Sequence, residues 1–146
     1  MVNLKTLLER RCEPGIGAAL GLAAAGVLLS ADVHLELWLQ GVRLDAVFGP
    51  LFLATAAAGL VVGILCVAWP SRGAAAAAAV FGAMTFGALL MSSAVGLFGL
   101  HETLDALPQQ LSLASEATAA IAGSAALMLM RRQPATTRPV LAGALR

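Results

Sequence analysis

Four runs of mostly apolar residues, joined by short polar connections, limit this chain more than any other feature. They are Gly15–Leu37, Pro50–Trp69, Gly73–Leu100 and Leu111–Met130. A helix rises about 1.5 Å per residue, so roughly 20 such residues cover the hydrocarbon of a bilayer. Inside lipid every backbone N–H and C=O must be satisfied within the segment, which selects helices for runs of this length. Composition agrees: 60% of the 146 residues are hydrophobic and 12% are charged, where a soluble domain carries about a quarter charged. The short connections make neighbouring spans antiparallel. The expected fold is therefore all-α, a four-transmembrane-helix bundle running up-down-up-down across residues 15–130. Before it, Val2, Leu4, Leu7 and Leu8 with the basic residues predict a short interfacial helix over residues 1–14, stopped near Pro14. After it, the Pro-broken segment 131–146 reads as a loose tail.

Basic residues are retained on the cytoplasmic side of a membrane. Lys5, Arg10, Arg11, Arg72, Arg131, Arg132, Arg138 and Arg146 fall on one side of the expected bundle, and Arg43 on the other. The expectation is a multi-pass protein of a cell membrane, of the bacterial inner-membrane type, with both termini cytoplasmic. MVNLKTLLERR followed by an apolar run has the look of a signal peptide, but it lacks an A-x-A cleavage site and three further spans follow, so the first span reads as retained. A net charge of +1 excludes a global basic surface for nucleic acid. Cys12 and Cys66 form no CxxC or metal-ligand spacing and read as structural thiols.

Lipid tails supply no hydrophobic drive between helices, so packing depends on small residues that let backbones approach. Gly17 and Gly21 form one GxxxG pair, Gly59 and Gly63 another. Gly82, Thr85, Leu89, Ser92, Gly96 and Gly99 make a small, weakly polar stripe on the third span; Ser112, Glu116, Ala119 and Gly123 make one on the fourth. The expectation is that these stripes face one another. The alanine run 74–79 needs no special role.

Three places carry chemistry. The stretch VGLFGLHETLD closes the third run with His101, Glu102 and Asp105. On a helix continuing past Leu100, His101 and Asp105 share a face and can share a cation, while Glu102 points about 100° away. It is not a zincin motif, because Asp105 stands where HExxH needs a second histidine. The bland alternative is a span end that has reached water. The stretch ADVHLELWLQGVRLDAV, residues 31–47, alternates polar and apolar residues like a hairpin, but a helix already nucleated propagates cheaply, so helix is expected to about Trp38. His34 then aligns with Ser30 and Trp38, and Trp38 and Trp69 serve as interfacial anchors at opposite faces. Glu116 lies more than a turn inside the fourth span, where an ionised carboxylate is costly and is usually paired, protonated or functional. Arg43, His34 and His101 are its expected partners.

A His and LW after the first span, GPLFL opening the second and VGLFGLHE closing the third together resemble a group of uncharacterised small four-span membrane proteins of high-GC Gram-positive bacteria. The resemblance covers roughly residues 30–130 and matches His34, Trp38, Gly49, Pro50, Gly96, Gly99, His101 and Glu102. No activity comes with it. The first outer loop, GVRLDAVFGP, departs from it by lacking an aromatic-Arg-x-Ile-Pro run.

Three functions compete. The first is a non-enzymatic membrane protein that binds a metal ion or haem at its outer face through His34 and His101, with Glu102, Asp105 or Glu116 assisting. The second is an accessory subunit or scaffold, docking small-residue faces against a membrane-protein partner or a second copy. The third is a small proton-coupled transporter working through Glu116, disfavoured by the absence of an internal repeat and of a mid-membrane helix break. No Ser or Cys beside a His suggests nucleophilic catalysis, so no enzyme is expected.

Overall fold

The computed structural model describes residues 14–96 and 104–132. Among them the chain forms four α-helices and one 3-10 turn, with no strand. The helices are α1 (Pro14–Gln40), α2 (Phe48–Ala68), α3 (Arg72–Val95) and α4 (Leu107–Arg132). All four are long and apolar enough to cross a membrane, which makes the chain a multi-pass integral membrane protein. The expected interfacial helix and C-terminal tail lie outside the described residues, apart from Pro14, Arg131 and Arg132, which are helical.

Local chemistry sets the ends. Helix α1 runs on through residues 32–40, so the hairpin alternative falls. Gln40 Nε2 donates to Glu36 Oε1 at 3.0 Å across its last turn. Gly41 then takes φ 141°, a conformation that side-chain-bearing residues rarely adopt, and the 3-10 turn Val42–Leu44 follows. The Asp45 carboxylate accepts from the backbone N–H of Val47 and of Phe48, both at 2.8 Å, and starts α2. Those two bonds hold the Asp45 carboxyl below its ordinary range, Phe48 contributing most. At the other end of α2, Ser71 accepts from the Ala74 N–H at 3.1 Å and caps α3. The third helix stops at Val95, not at Leu100 as its apolar run suggests, because Gly96 turns to φ 78° and its N–H closes on the Ser92 carbonyl at 3.2 Å.

Helix α4 is the hub. It packs along α1 on one side and α3 on the other, and α1 also carries α2, so the helices lie in the order α2, α1, α4, α3. Successive helices α2 and α3 touch sparingly, and among the described residues α2 makes no close backbone approach to α4. The seams are built from residues with little or no side chain. A Cβ at Gly82 would stand 2.5 Å from the Glu116 carbonyl oxygen and 2.6 Å from the Ala120 nitrogen. One at Gly123 would stand 2.6 Å from the Ala79 nitrogen, and one at Gly26 2.6 Å from the Ser115 carbonyl oxygen. The alanine run has a purpose here: Ala74, Ala75 and Ala78 are buried in the core with Ala119, Ala122 and Ala126. Gly59 and Gly63 of α2 are buried as well, close against Ala31 and Leu28 of α1. Gly17 and Gly21 differ: both are exposed, and a Cβ on either would meet nothing within 4 Å. Gly26, one turn further on, makes the approach to α4 that the first GxxxG pair suggested. Arg72 ties the terminal end by donating to the Met130 carbonyl at 2.7 Å.

Gly82→Ala should therefore cost about 1–3 kcal/mol of bundle stability by overpacking, while Gly21→Ala should leave it unchanged or raise it by up to about 1 kcal/mol, since the helix gains Ala where nothing is crowded. Reversible unfolding in mixed micelles measures both. The Asp45 contribution is present above the ordinary Asp range and is lost as pH falls through its lowered value. Acidification should accordingly lower the protection factors of the Val47 and Phe48 amides, their exchange rates being referred to the intrinsic rate at each pH, and Asp45→Ala should lower them at neutral pH.

Candidate functional site

Because α2 and α3 diverge, they leave a cavity of about 310 Å³ between them, backed by the α1–α4 seam. Its wall is mostly apolar: Leu37 from α1, Phe48, Leu51 and Phe52 from α2, Met84, Ala88 and Leu89 from α3. Phe48 and Phe52 sit one turn apart with ring centroids at 6.4 Å in an edge-to-face arrangement, and His34 leans on Phe52 at 5.0 Å. The polar lining comes from every helix: His34 of α1, Thr55 of α2, Thr85 and Ser92 of α3, and Gln109, Ser112 and Glu116 of α4.

Glu116 is 1% exposed and is among the largest fully buried side chains in the described bundle. By helical rise it lies about 14 Å along α4 from Leu107, well inside the span. Its Oε1 accepts a hydrogen bond from Ser30 Oγ at 3.3 Å. Its Oε2 is buried and has no hydrogen-bond partner among the described residues. Thr85 stands beside the carboxyl, but its single proton is directed to the Phe81 carbonyl at 2.9 Å. An acceptor buried without a donor is costly, and Glu116 is one of the residues that line the cavity.

Ser30 belongs to the buried face of α1, with Ala23, Val27 and Ala31. The same face presents His34, whose Nδ1 lies 2.8 Å from the Ser30 carbonyl oxygen. A carbonyl only accepts, so Nδ1 carries the proton and Nε2 keeps the lone pair of the neutral ring. The weaker contact from Nδ1 to Ser30 Oγ, 3.5 Å, links the imidazole to the hydroxyl that serves Glu116.

Glu116 thus meets Ser30 and Thr85, where the sequence suggested Arg43 or a histidine. Arg43 is exposed in the 3-10 turn. The fourth-span stripe turns inward at Ser112, Glu116, Ala119 and Gly123. The third-span stripe divides its work, Gly82 at the α4 seam and Thr85, Leu89 and Ser92 at the cavity. Asp105 is exposed just ahead of α4, and its carbonyl accepts from Gln110 Nε2 at 3.3 Å. His101 and Glu102 lie outside the described residues, and with them the expected His34–His101 approach. Among the described residues no group of three or more His, Cys, Asp or Glu comes together to hold a metal ion. Trp38 is half-buried near the end of α1 and Trp69 is 74% exposed just past α2, at opposite ends of the bundle.

Two contributors escaped the sequence. Ser30 had a signal, a hydroxyl in an apolar run one turn before a histidine. The pair Phe48 and Phe52 had none beyond its i, i+4 spacing, since nothing local tells a cavity wall from a lipid face. No family model matches this chain, and no curated protein or solved structure matches it either.

The proton on His34 Nδ1 is checkable. Nitrogen-15 spectra of the imidazole should show a one-bond N–H coupling at Nδ1 and an unprotonated Nε2; the opposite tautomer would break the bond to Ser30. Ser30→Ala should destabilise the bundle by roughly 1–3 kcal/mol, because it leaves both Glu116 oxygens without a donor.

Proposed function

We propose that this protein binds a small molecule inside the membrane, in the cavity between α2 and α3, with the Glu116 carboxyl as its working group. The observation that carries this is Glu116, a residue lining a cavity of about 310 Å³, whose buried Oε2 has no hydrogen-bond partner among the described residues. An intramembrane carboxylate is ordinarily protonated, paired or part of a translocation path. No Lys or Arg lines the cavity among the described residues, so binding a ligand here exchanges a proton on Glu116 for contact with that ligand. This is the small proton-coupled transporter in its simplest form, a binding site whose charge state follows occupancy. The unbroken helices that weighed against transport matter less once the site lies between two helices that diverge, since access needs no break within either.

Metal or haem ligation is less well supported. The cavity offers one imidazole and one carboxylate among the described residues, and any fuller ligand set depends on His101 and Glu102. A scaffold role leaves the unsatisfied carboxyl unexplained.

Dicyclohexylcarbodiimide attacks protonated carboxyls in apolar surroundings and tests the assignment directly. In the purified, detergent-solubilised full chain, mass spectrometry should find the adduct at Glu116, while a water-soluble carbodiimide should modify exposed Glu36 and spare Glu116. Absence of an adduct at Glu116 in the folded protein would remove the site.

A further inference from the structure

Resting on the cavity as a ligand site, we infer that its ligand is a lipophilic monocation, an ammonium group carried on a compact aromatic or alkyl body. Charge comes first. Of the groups lining the cavity among the described residues, His34 and Glu116 are the ones that ionise, and the carboxylate is the deeper and more completely buried. The site can therefore complement one positive charge and has no fixed positive group to meet a carboxylate or phosphate on the ligand. A zwitterion or an anion would bury a charge against apolar walls, at a cost of several kcal/mol.

Shape and surface chemistry agree. Phe48 and Phe52 line the α2 wall of the cavity that Glu116 also lines, and an aromatic face attracts a cation within about 6 Å. Met84 and Leu89 on the α3 wall offer adaptable apolar surface for the body of the ligand. Glu116 has one oxygen engaged by Ser30 and the other unsatisfied among the described residues, so it has an acceptor for an N–H of the cation. A neutral lipid or hydrocarbon would fill the apolar part but leave Oε2 as it is, and would gain nothing from the carboxyl.

The experiment measures protection and binding together, on the full-length protein in detergent. Dimethylbenzylammonium, whose single N–H can donate to Oε2, is the probe, and isobutylbenzene, the same shape with carbon in place of the charged nitrogen, is its control at equal mole fraction. The cation should slow carbodiimide modification of Glu116 in the unaltered chain on the order of tenfold, and the neutral isostere should not. By equilibrium dialysis with the isotope-labelled cation, Glu116→Gln should weaken binding on the order of tenfold or more. Ala88→Phe, at an exposed position on the cavity wall, should weaken it while leaving the carboxyl in place. Equal protection by the cation and the isostere, or cation binding unchanged in Glu116→Gln, overturns the ligand class. So does an adduct at Glu116 that the cation fails to slow, an outcome that leaves the cavity standing as a site. No adduct at Glu116 in the first place removes the site itself.

Discussion

Close approach of α4 to its two neighbours is the contact on which the rest of the bundle rests. At Gly26, Gly82 and Gly123 the backbones meet so tightly that a single methyl group would collide with main-chain atoms. Dispersion and backbone proximity replace the hydrophobic effect as the binding force between helices in lipid, and they act only at short range. Alanine and glycine along these seams are therefore the structural counterpart of the large side chains in a soluble core. Once α1, α4 and α3 are joined this way, the depth of Ser30 against Glu116 follows, and the polar pair is brought to hydrogen-bonding distance by packing elsewhere.

That order of causes explains how the buried carboxyl is tolerated. The Ser30 bond to Oε1 offsets part of the cost of burying the group, but one hydroxyl cannot satisfy two oxygens. Two hydroxyls on the cavity wall are occupied on their own helices: Thr55 bonds the Leu51 carbonyl and Thr85 that of Phe81. Neither hydroxyl can turn to the carboxyl without giving up the bond it already makes. A ligand that brings positive charge can meet the carboxyl where these hydroxyls do not.

Much of the fold was legible in the chain because its strongest signals are local. The four runs are written in consecutive residues, and Gly41, Ser71 and Gly96 punctuate them by backbone chemistry that needs no partner. Helix α3 ended early for the same kind of reason: hydropathy continues to Leu100, but the conformation of Gly96 decides, and a hydropathy run does not record φ. Glu116 was visible because an acid within an apolar run is conspicuous by itself. Its partner was not, since Ser30 lies 86 positions away and only the crossing of α1 and α4 brings the two together. The Gly17–Gly21 pair shows the converse: small-residue spacing marks a face able to pack, and rotation of the helix settles which face does. Here rotation puts Gly26 at the seam and leaves that pair outside.

The sparing contact between α2 and α3 has a mechanical meaning. Each of the three seams, α2–α1, α1–α4 and α4–α3, carries glycine, and the outer helices α2 and α3 are each fastened mainly along one edge. Stiffness is consequently unequal across the molecule. Moving α2 outward costs its contacts with one neighbour, whereas moving α4 costs two seams at once. The turn through Pro70 and Ser71 and the one from Gly41 to Asp45 bound α2 at its two ends. The cavity therefore lies between the two outer rods, with the carboxyl on an inner one that two seams hold.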